Sequence, residues 1–324
     1  MGLGALRSTI AQVQAAAGDQ KAIAIVDLGT NSTRLLVARR SGSDIEEIAR
    51  RSTVTSLGAG VDLTGSLSSD AIERTCEVVA GYRKEWSELG VETVLASATS
   101  AVRDSANGDA FVAELRERFE IETRVLTGEE EAKLVFRGAT GHLPDDETAL
   151  VVDIGGGSTE IVVGTGEGVG FHTSLQAGVL RHTERHLSSD PPTPQELEAL
   201  ASEIEAAIAE TTGRARKGSI SRAIAVAGTP AALAAIERGE PEPRRSDIHG
   251  FELDLETIQR SLSSLSAMTS AERAEVLGLQ PQRAPFVVAG TLILIQVMRA
   301  FGLDRIEVSE SDLMHGLALE SLTG

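Results

Sequence analysis

The sequence predicts an α/β fold of two similar domains facing one another across a cleft, and three observations carry that expectation. Short β-branched runs alternate with helical patterns along the chain, the pattern of strands flanked by helices. The segment Asp27-Leu-Gly-Thr-Asn-Ser-Thr-Arg-Leu-Leu-Val37 aligns without gaps to Asp153-Ile-Gly-Gly-Gly-Ser-Thr-Glu-Ile-Val-Val163. Asp, Gly, Ser, Thr and Val coincide, and three further positions exchange one aliphatic residue for another. Finally, 324 residues suit about two domains of roughly 150 residues each.

The first half reads as strands at Ala22–Asp27, Thr33–Arg40 and Ile45–Thr53, with a turn at Gly29–Ser32. A helix at Ser68–Leu89 follows, then a strand at Val91–Ala96 and a helix at Gly108–Phe119. Glu122–Leu126 is a strand and Glu129–Arg137 is helical. The pattern then restarts, with strands at Ala149–Asp153, Thr159–Val163 and Gly170–Ser174 around a turn at Gly155–Gly157. Helices are expected at Val179–His186 and Pro194–Glu210, a strand at Ala223–Ala227 and a helix after Pro230. Pro191–Pro194 and Pro241–Pro243 punctuate loops. Leu255–Leu265, Ala284–Ala300 and Asp312–Leu319 close the chain as helices. Leu3–Ala17 reads as a helical extension or a frayed end.

Composition narrows the function. Hydrophobic residues at 41% and charged residues at 24% are ordinary for a globular chain. Acids outnumber Lys and Arg by 48 to 30, a formal net charge of -18. Such a surface repels nucleic-acid backbone, so no nucleic-acid partner is expected, and a polyanionic substrate requires a locally basic pocket. Cys76 is the only cysteine, which excludes intrachain disulfides and thiolate zinc clusters and fits a reducing compartment. The longest apolar runs are strand-length or contain Gly or Pro, and the first twenty residues lack a signal-peptide pattern. A soluble cytoplasmic protein without a membrane partner is the expectation.

The repeated turns are the candidate phosphate sites. Backbone without Cβ aims several N–H groups at one anion, which suits Gly29, Gly155, Gly156 and Gly157. The hydroxyls of Thr30, Ser32, Ser158 and Thr159 add donors, and Asn31 lies within the first turn. Neither turn continues into Gly-Lys-Ser/Thr, and neither precedes a long helix, so the P-loop and Rossmann fingerprints are excluded. The alternative is an ordinary hairpin turn in each half.

Asp153 ends one strand and Glu160 begins the next, so both carboxylates point into one space, the donor set a hard Mg²⁺ ion takes. Asp27 holds the equivalent place in the first turn. The competing readings are turn capping for Asp27 and Asp153 and a solvated edge for Glu160. Thr127 and Glu130 form a Thr-x-x-Glu capping box, and Glu129 favours the helix dipole. Glu131 points elsewhere, beside Ala132, and either deprotonates a water or stabilises the dipole. Arg103 follows a strand end, where ligands bind open α/β sheets, and can take a phosphate bidentately. Arg34 is either a second phosphate contact or a strand-surface charge. His182-x-x-x-His186 has helical spacing without a metalloprotease Glu, and reads as a structural or surface pair.

Taken together, these blocks resemble the exopolyphosphatase / guanosine pentaphosphate phosphohydrolase family of the acetate kinase, sugar kinase, Hsp70 and actin superfamily. The resemblance rests on Asp27–Arg34, Ser97–Arg103, Gly128-Glu-Glu-Glu-Ala132, Asp153–Glu160, Gly178-Val-Leu-Arg181 with Thr183-Glu184, and Ala227-Gly-Thr229. It spans about Ala22 to Leu319 and is similar to the short form with two actin-like (ribonuclease H-like) domains. It implies a first domain over 1–128 plus 311–324 and a second over 129–310.

The resemblance further implies hydrolysis of a terminal phosphoanhydride with release of orthophosphate. The substrate would be inorganic polyphosphate or guanosine pentaphosphate. Glu131 matches the general base, Asp153 and Glu160 the acids tied to Mg²⁺ (or Mn²⁺) and water, and Arg103 a phosphate contact. A homodimer is implied as well. Thr30 replaces a common Ser, while Pro285 and His315 depart from the family pattern at the floor of the second domain. Two rivals remain: an ATP-dependent kinase of the same fold, given Ala227-Gly-Thr-Pro230, and a non-catalytic polyphosphate or alarmone sensor.

Overall fold

The computed structural model describes residues 21–141, 143–212, 220–241 and 243–323. The Leu3–Ala17 stretch lies outside the described residues.

The apolar runs pair into two sheets. The first holds β1 (Ile23–Leu28), β2 (Ser32–Ser41), β3 (Asp44–Val54), β4 (Thr93–Ala98) and β5 (Thr123–Val125) in the order β3-β2-β1-β4-β5. The second holds β6 (Ala149–Ile154), β7 (Thr159–Thr165), β8 (Gly168–Leu175), β9 (Arg222–Val226), β10 (Phe251–Asp254) and β11 (Arg305–Val308) in the order β10-β11-β9-β6-β7-β8. In each sheet the central strand pairs antiparallel to the next strand in sequence and parallel to a later one. The second sheet thus repeats the first strand for strand, with β10 added antiparallel at its edge. The sequence repeat is a repeat of topology.

Both faces of the central strands are buried, as in sheets covered on both sides. Along β1, Ala24, Val26 and Leu28 join one apolar cluster with the helices Ser69–Glu88 and Gly108–Phe119. Ile23 and Ile25 point the other way, into a cluster shared with Ala149 and Val151 of β6. Between the sheets lie two helices, Gly128–Thr140 against the second sheet and Leu313–Thr323 against the first. They cross at Gly138 and Gly316, where a Cβ would collide with backbone of the other helix or the turn before it. The outer face of the second sheet packs on Pro194–Thr212, Gly228–Arg238, Leu255–Ser266 and the almost wholly buried Val287–Phe301.

Some expectations need correction. Arg103 does not lie in a loop; it ends a single helical turn, Ser100–Arg103. The helix expected from Ala284 starts at Val287, because Pro281–Arg283 forms a separate short turn and the Ala284 and Phe286 amides donate back to Pro281 and Arg283. His315 is not at the floor of the second domain: its Nε2 lies 2.6 Å from Glu47 Oε1 on β3. Among the described residues no helix is long and apolar enough to cross a membrane.

Gly138→Ala tests the helix crossing. Overpacking there should cost about 1–3 kcal/mol, read as a lower urea midpoint at unchanged slope. An unchanged midpoint would show that the crossing tolerates a side chain.

Candidate active site

The hairpin register places the carboxylates. Asp153 and Glu160 are direct cross-strand partners on β6 and β7, so their side chains share one face. Both are buried, at 7% and 1% exposure. Glu131 joins them from the first turn of Gly128–Thr140, at 6% exposure. That helix starts on the expected capping box: Thr127 Oγ1 accepts from the Glu130 amide at 3.2 Å, and Glu130 returns a carboxylate to the Thr127 amide at 2.9 Å. Glu129 pairs outward with Lys133 at 2.7 Å. Of the three consecutive acids only Glu131 turns inward.

Burial raises all three carboxyls, and repulsion adds to it at Glu131 and Asp153. Desolvation, then Glu160 and Asp153, hold Glu131 well above the ordinary range, against the pull of Arg103. Asp153 is pushed up to about 8 by desolvation and by Glu160, with Arg34 opposing. Desolvation also raises Glu160, countered by hydrogen bonds from Ser174 and Ser158. Ser174 Oγ donates to Glu160 Oε1 at 2.8 Å.

The equivalent hairpin in the first sheet is neutralised. Asp27 and Arg34 occupy the same cross-strand positions on β1 and β2. Arg34 Nε and Nη2 donate to Asp27 Oδ2 at 2.9 and 2.7 Å, and Nη1 donates to Asp312 Oδ2 at 2.6 Å. Ser97 Oγ donates to Asp27 Oδ1 at 3.1 Å. Two expectations change here. The Arg34 guanidinium lines the cavity, but Asp27 and Asp312 already offset the charge it would offer a phosphate. Both oxygens of Asp27 already accept hydrogen bonds, so it does not match Asp153 as a metal donor.

The two glycine turns meet. Each closes in the same way, Gly29 N–H donating to Ser32 O at 3.1 Å and Gly155 N–H to Ser158 O at 2.9 Å. A Cβ on Gly156 would stand 2.7 Å from the Asn31 nitrogen, and one on Gly157 2.5 Å from Ser100 Oγ. Glycine is required at 156 because the backbone of the two turns is in direct contact there, and Gly157 is closed in by the Ser100 and Thr30 side chains. A cavity of 90 Å³ is bounded by both turns, Asp27, Asp153 and Glu131. Gly29, Thr30, Asn31, Ser32, Gly155, Gly156, Gly157 and Ser158 all line it. Thr159, Glu160 and Arg103 do not. Thr159 donates its hydroxyl to the Ala177 carbonyl at 2.5 Å. Arg103 Nη1 donates to Glu131 Oε2 at 3.1 Å and to the Leu126 carbonyl at 2.7 Å, so it bears on the cavity through Glu131.

An adjoining cavity of 540 Å³ shares Arg34, Ala227, Gly228 and Arg283 with the first. Arg50, Arg51 and Arg245 also line it, with an apolar wall at Ala231, Ala232 and Leu279. Glu310 and Asp312 line it too and pair with Arg245, Arg34 and Arg50, but five arginines against two acids leave it locally basic in a chain of net charge -18. Sequence reasoning missed Arg283, at the end of the short turn Pro281–Arg283. It packs against Gly228, and desolvation depresses its pKa. It forms no ion pair within 4 Å among the described residues. Its signal was faint, an Arg-Ala-Pro stretch ahead of an apolar helix. Asp312, which holds Arg34 and Arg50, was missed too.

The pKa of Asp153 has a consequence for stability. The folded carboxyl binds its proton more tightly than the unfolded one, so this group lowers stability as pH rises from about 3.8 through about 8. Asp153→Asn should therefore stabilise the metal-free protein at pH 8 by at least ~1 kcal/mol. The gain should vanish toward pH 4. Thermal denaturation at the two pH values checks this, and an equal effect at both would refute an uncompensated buried acid.

Comparison with known proteins places the chain in a family. A profile of the Ppx/GppA phosphatase family matches residues 35–323. The chain is 35% identical to exopolyphosphatase 2 of Mycobacterium tuberculosis over 93% of its own length and 98% of that protein. Among solved structures, an exopolyphosphatase-like protein matches with a TM-score of 0.88 at 30% identity, over 94% of this chain and 98% of the other. A Ppx/GppA family member from Aquifex aeolicus matches with a TM-score of 0.78 at 29% identity, over the same shares. The two repeated sheets are those of actin-like two-domain proteins, and the chain belongs to the Ppx/GppA phosphatase family.

Proposed function

We propose that the protein is an exopolyphosphatase, hydrolysing the terminal phosphoanhydride of inorganic polyphosphate to release orthophosphate. One observation carries this reading: three buried carboxylates gather where two glycine turns meet, beside an arginine-lined cavity in a strongly acidic chain. The turns bind the terminal phosphates through backbone N–H groups and the Thr30 and Ser32 hydroxyls, while the Ser158 hydroxyl stays on Glu160. The arginines of the larger cavity hold the rest of the chain.

Glu131 accepts the proton of a water held against the terminal phosphorus. A P–O bond forms to that water as the bond to the bridging oxygen breaks. The bridging oxygen leaves on the shortened chain, and orthophosphate departs. The raised proton affinity of Glu131 brings it closer to the working pH of a general base than an exposed carboxylate would be. Arg103 keeps the Glu131 carboxylate oriented through its hydrogen bond. Positioning and electrostatics dominate in phosphoryl transfer, so a rigid, dry site is what the reaction needs.

A divalent cation fits this donor set. Asp153 and Glu160 are hard oxygen donors whose charges no adjacent cation fully balances, and they would hold Mg²⁺ or Mn²⁺. Bound there, the ion would neutralise charge on the phosphoryl oxygens. Guanosine pentaphosphate is a second reading, favoured by the 540 Å³ cavity, whose apolar wall would suit a nucleoside.

Glu131→Ala should lower kcat by about 10²–10⁴ and leave KM within a few-fold. The assay is orthophosphate release with Mg²⁺ from short polyphosphate, long polyphosphate and guanosine pentaphosphate in parallel. Near-normal turnover in the variant would remove Glu131 from the mechanism. Release from the nucleotide alone would favour the second reading.

A further inference from the structure

A second cluster of donors lies apart from the carboxylates. His182 and His186, one turn apart on the helix Val179–His186, face Glu203 on the helix Pro194–Thr212. The three side chains each offer a ligand atom, and these atoms all lie within 4.8 Å of one another. His186 Nε2 is 2.6 Å from Glu203 Oε2, and His182 Nε2 is 3.7 Å from Glu203 Oε1. Ligands about 2.0–2.1 Å from a tetrahedral zinc stand ~3.3 Å apart, so these separations bracket the span a single ion would bridge.

His182 adds an independent sign. It is sealed from solvent at 1% exposure, and its Nδ1 has no hydrogen-bond partner among the described residues. Its Nε2 stands beyond hydrogen-bond reach of Glu203. The ring thus stands against Glu203 without a hydrogen bond to it, as two ligands of one ion would stand. The helix alone does not explain the ring's placement beside a carboxylate from another helix.

We propose that His182, His186 and Glu203 form a binding site for a zinc-type divalent cation, with water completing the tetrahedron. Two imidazoles and one carboxylate are a donor set zinc accepts, and softer than the oxygen-only set Mg²⁺ selects. Binding displaces the His186–Glu203 hydrogen bond and draws Glu203 from its ion pair with Arg185. Arg185 keeps its other carboxylate, Asp62 of the first domain, at 2.7 Å. The same helix starts on the second glycine turn, where the Val179 and Leu180 amides donate to the Gly155 and Gly156 carbonyls at 2.9 Å. Zinc would therefore tie the helix that anchors the phosphate turn to its neighbour, Pro194–Thr212.

The test is zinc competition against a chromophoric chelator, with the full chain in excess Mg²⁺, together with Co²⁺ absorption. The wild type should bind one Zn²⁺ per chain and give the intense visible bands of tetrahedral Co²⁺. His186→Ala and Glu203→Gln, both at partly exposed positions, should each weaken zinc binding by more than about 100-fold. His249→Ala, outside the cluster, should bind as the wild type does. Absence of stoichiometric binding in the wild type, or affinity unchanged in both cluster variants, would overturn the site. The wild-type Co²⁺ spectrum decides the matter even if a variant misfolds, since octahedral weak bands would also refute it.

Discussion

Two acids facing one another across a hairpin, out of water, set the terms for this molecule. Asp153 and Glu160 repel each other, and Glu131 adds a third negative group. Like charges directly opposite on a sheet destabilise it, and buried charge without a partner is worse. The fold tolerates them because β6 and β7 are anchored on both faces by large apolar clusters. The strain is local and the packing is not. Such a cluster has its natural relief in a cation and a phosphate, which is why perturbed carboxyls concentrate at functional sites.

The two halves of the chain make the point by contrast. They share strand order, turn closure and an aspartate at the end of the central strand. Seven residues later one half has Arg34 and the other Glu160. In the first sheet the result is an ion pair extended to Asp312, a structural clasp that brings the last helix back to β2. In the second it is an unbalanced acid pair. One fold, used twice, supplies a rigid wall and a reactive one, and the glycine turns bring the walls into contact.

Much of this was legible in the sequence, where period and register speak. β6, β7 and their turn follow from apolar runs around Gly155–Gly157, and the inward turn of Glu131 follows from its place after a capping box. The short strands β10 and β11 were not read, because four residues with charges at alternate positions look like loop until a partner strand is known. Arg34 was misplaced for a different reason. The logic that paired Asp153 with Glu160 pairs Asp27 with Arg34 equally, but opposite charges then satisfy each other. Arg283, Asp312 and Glu203 lie far along the chain from the residues they approach, and spacing carries no trace of such contacts.

The central claim is that Asp153, beside Glu160, holds a proton that a divalent cation must displace. Calorimetric titration with Mg²⁺ at pH 7, in two buffers of different ionisation enthalpy, counts that proton directly. The account predicts release of about one proton per ion bound, since metal ligation requires deprotonated carboxylates, and loss of that release in Asp153→Asn. Binding with no proton release in the wild type would show the acids already ionised, and would contradict the account.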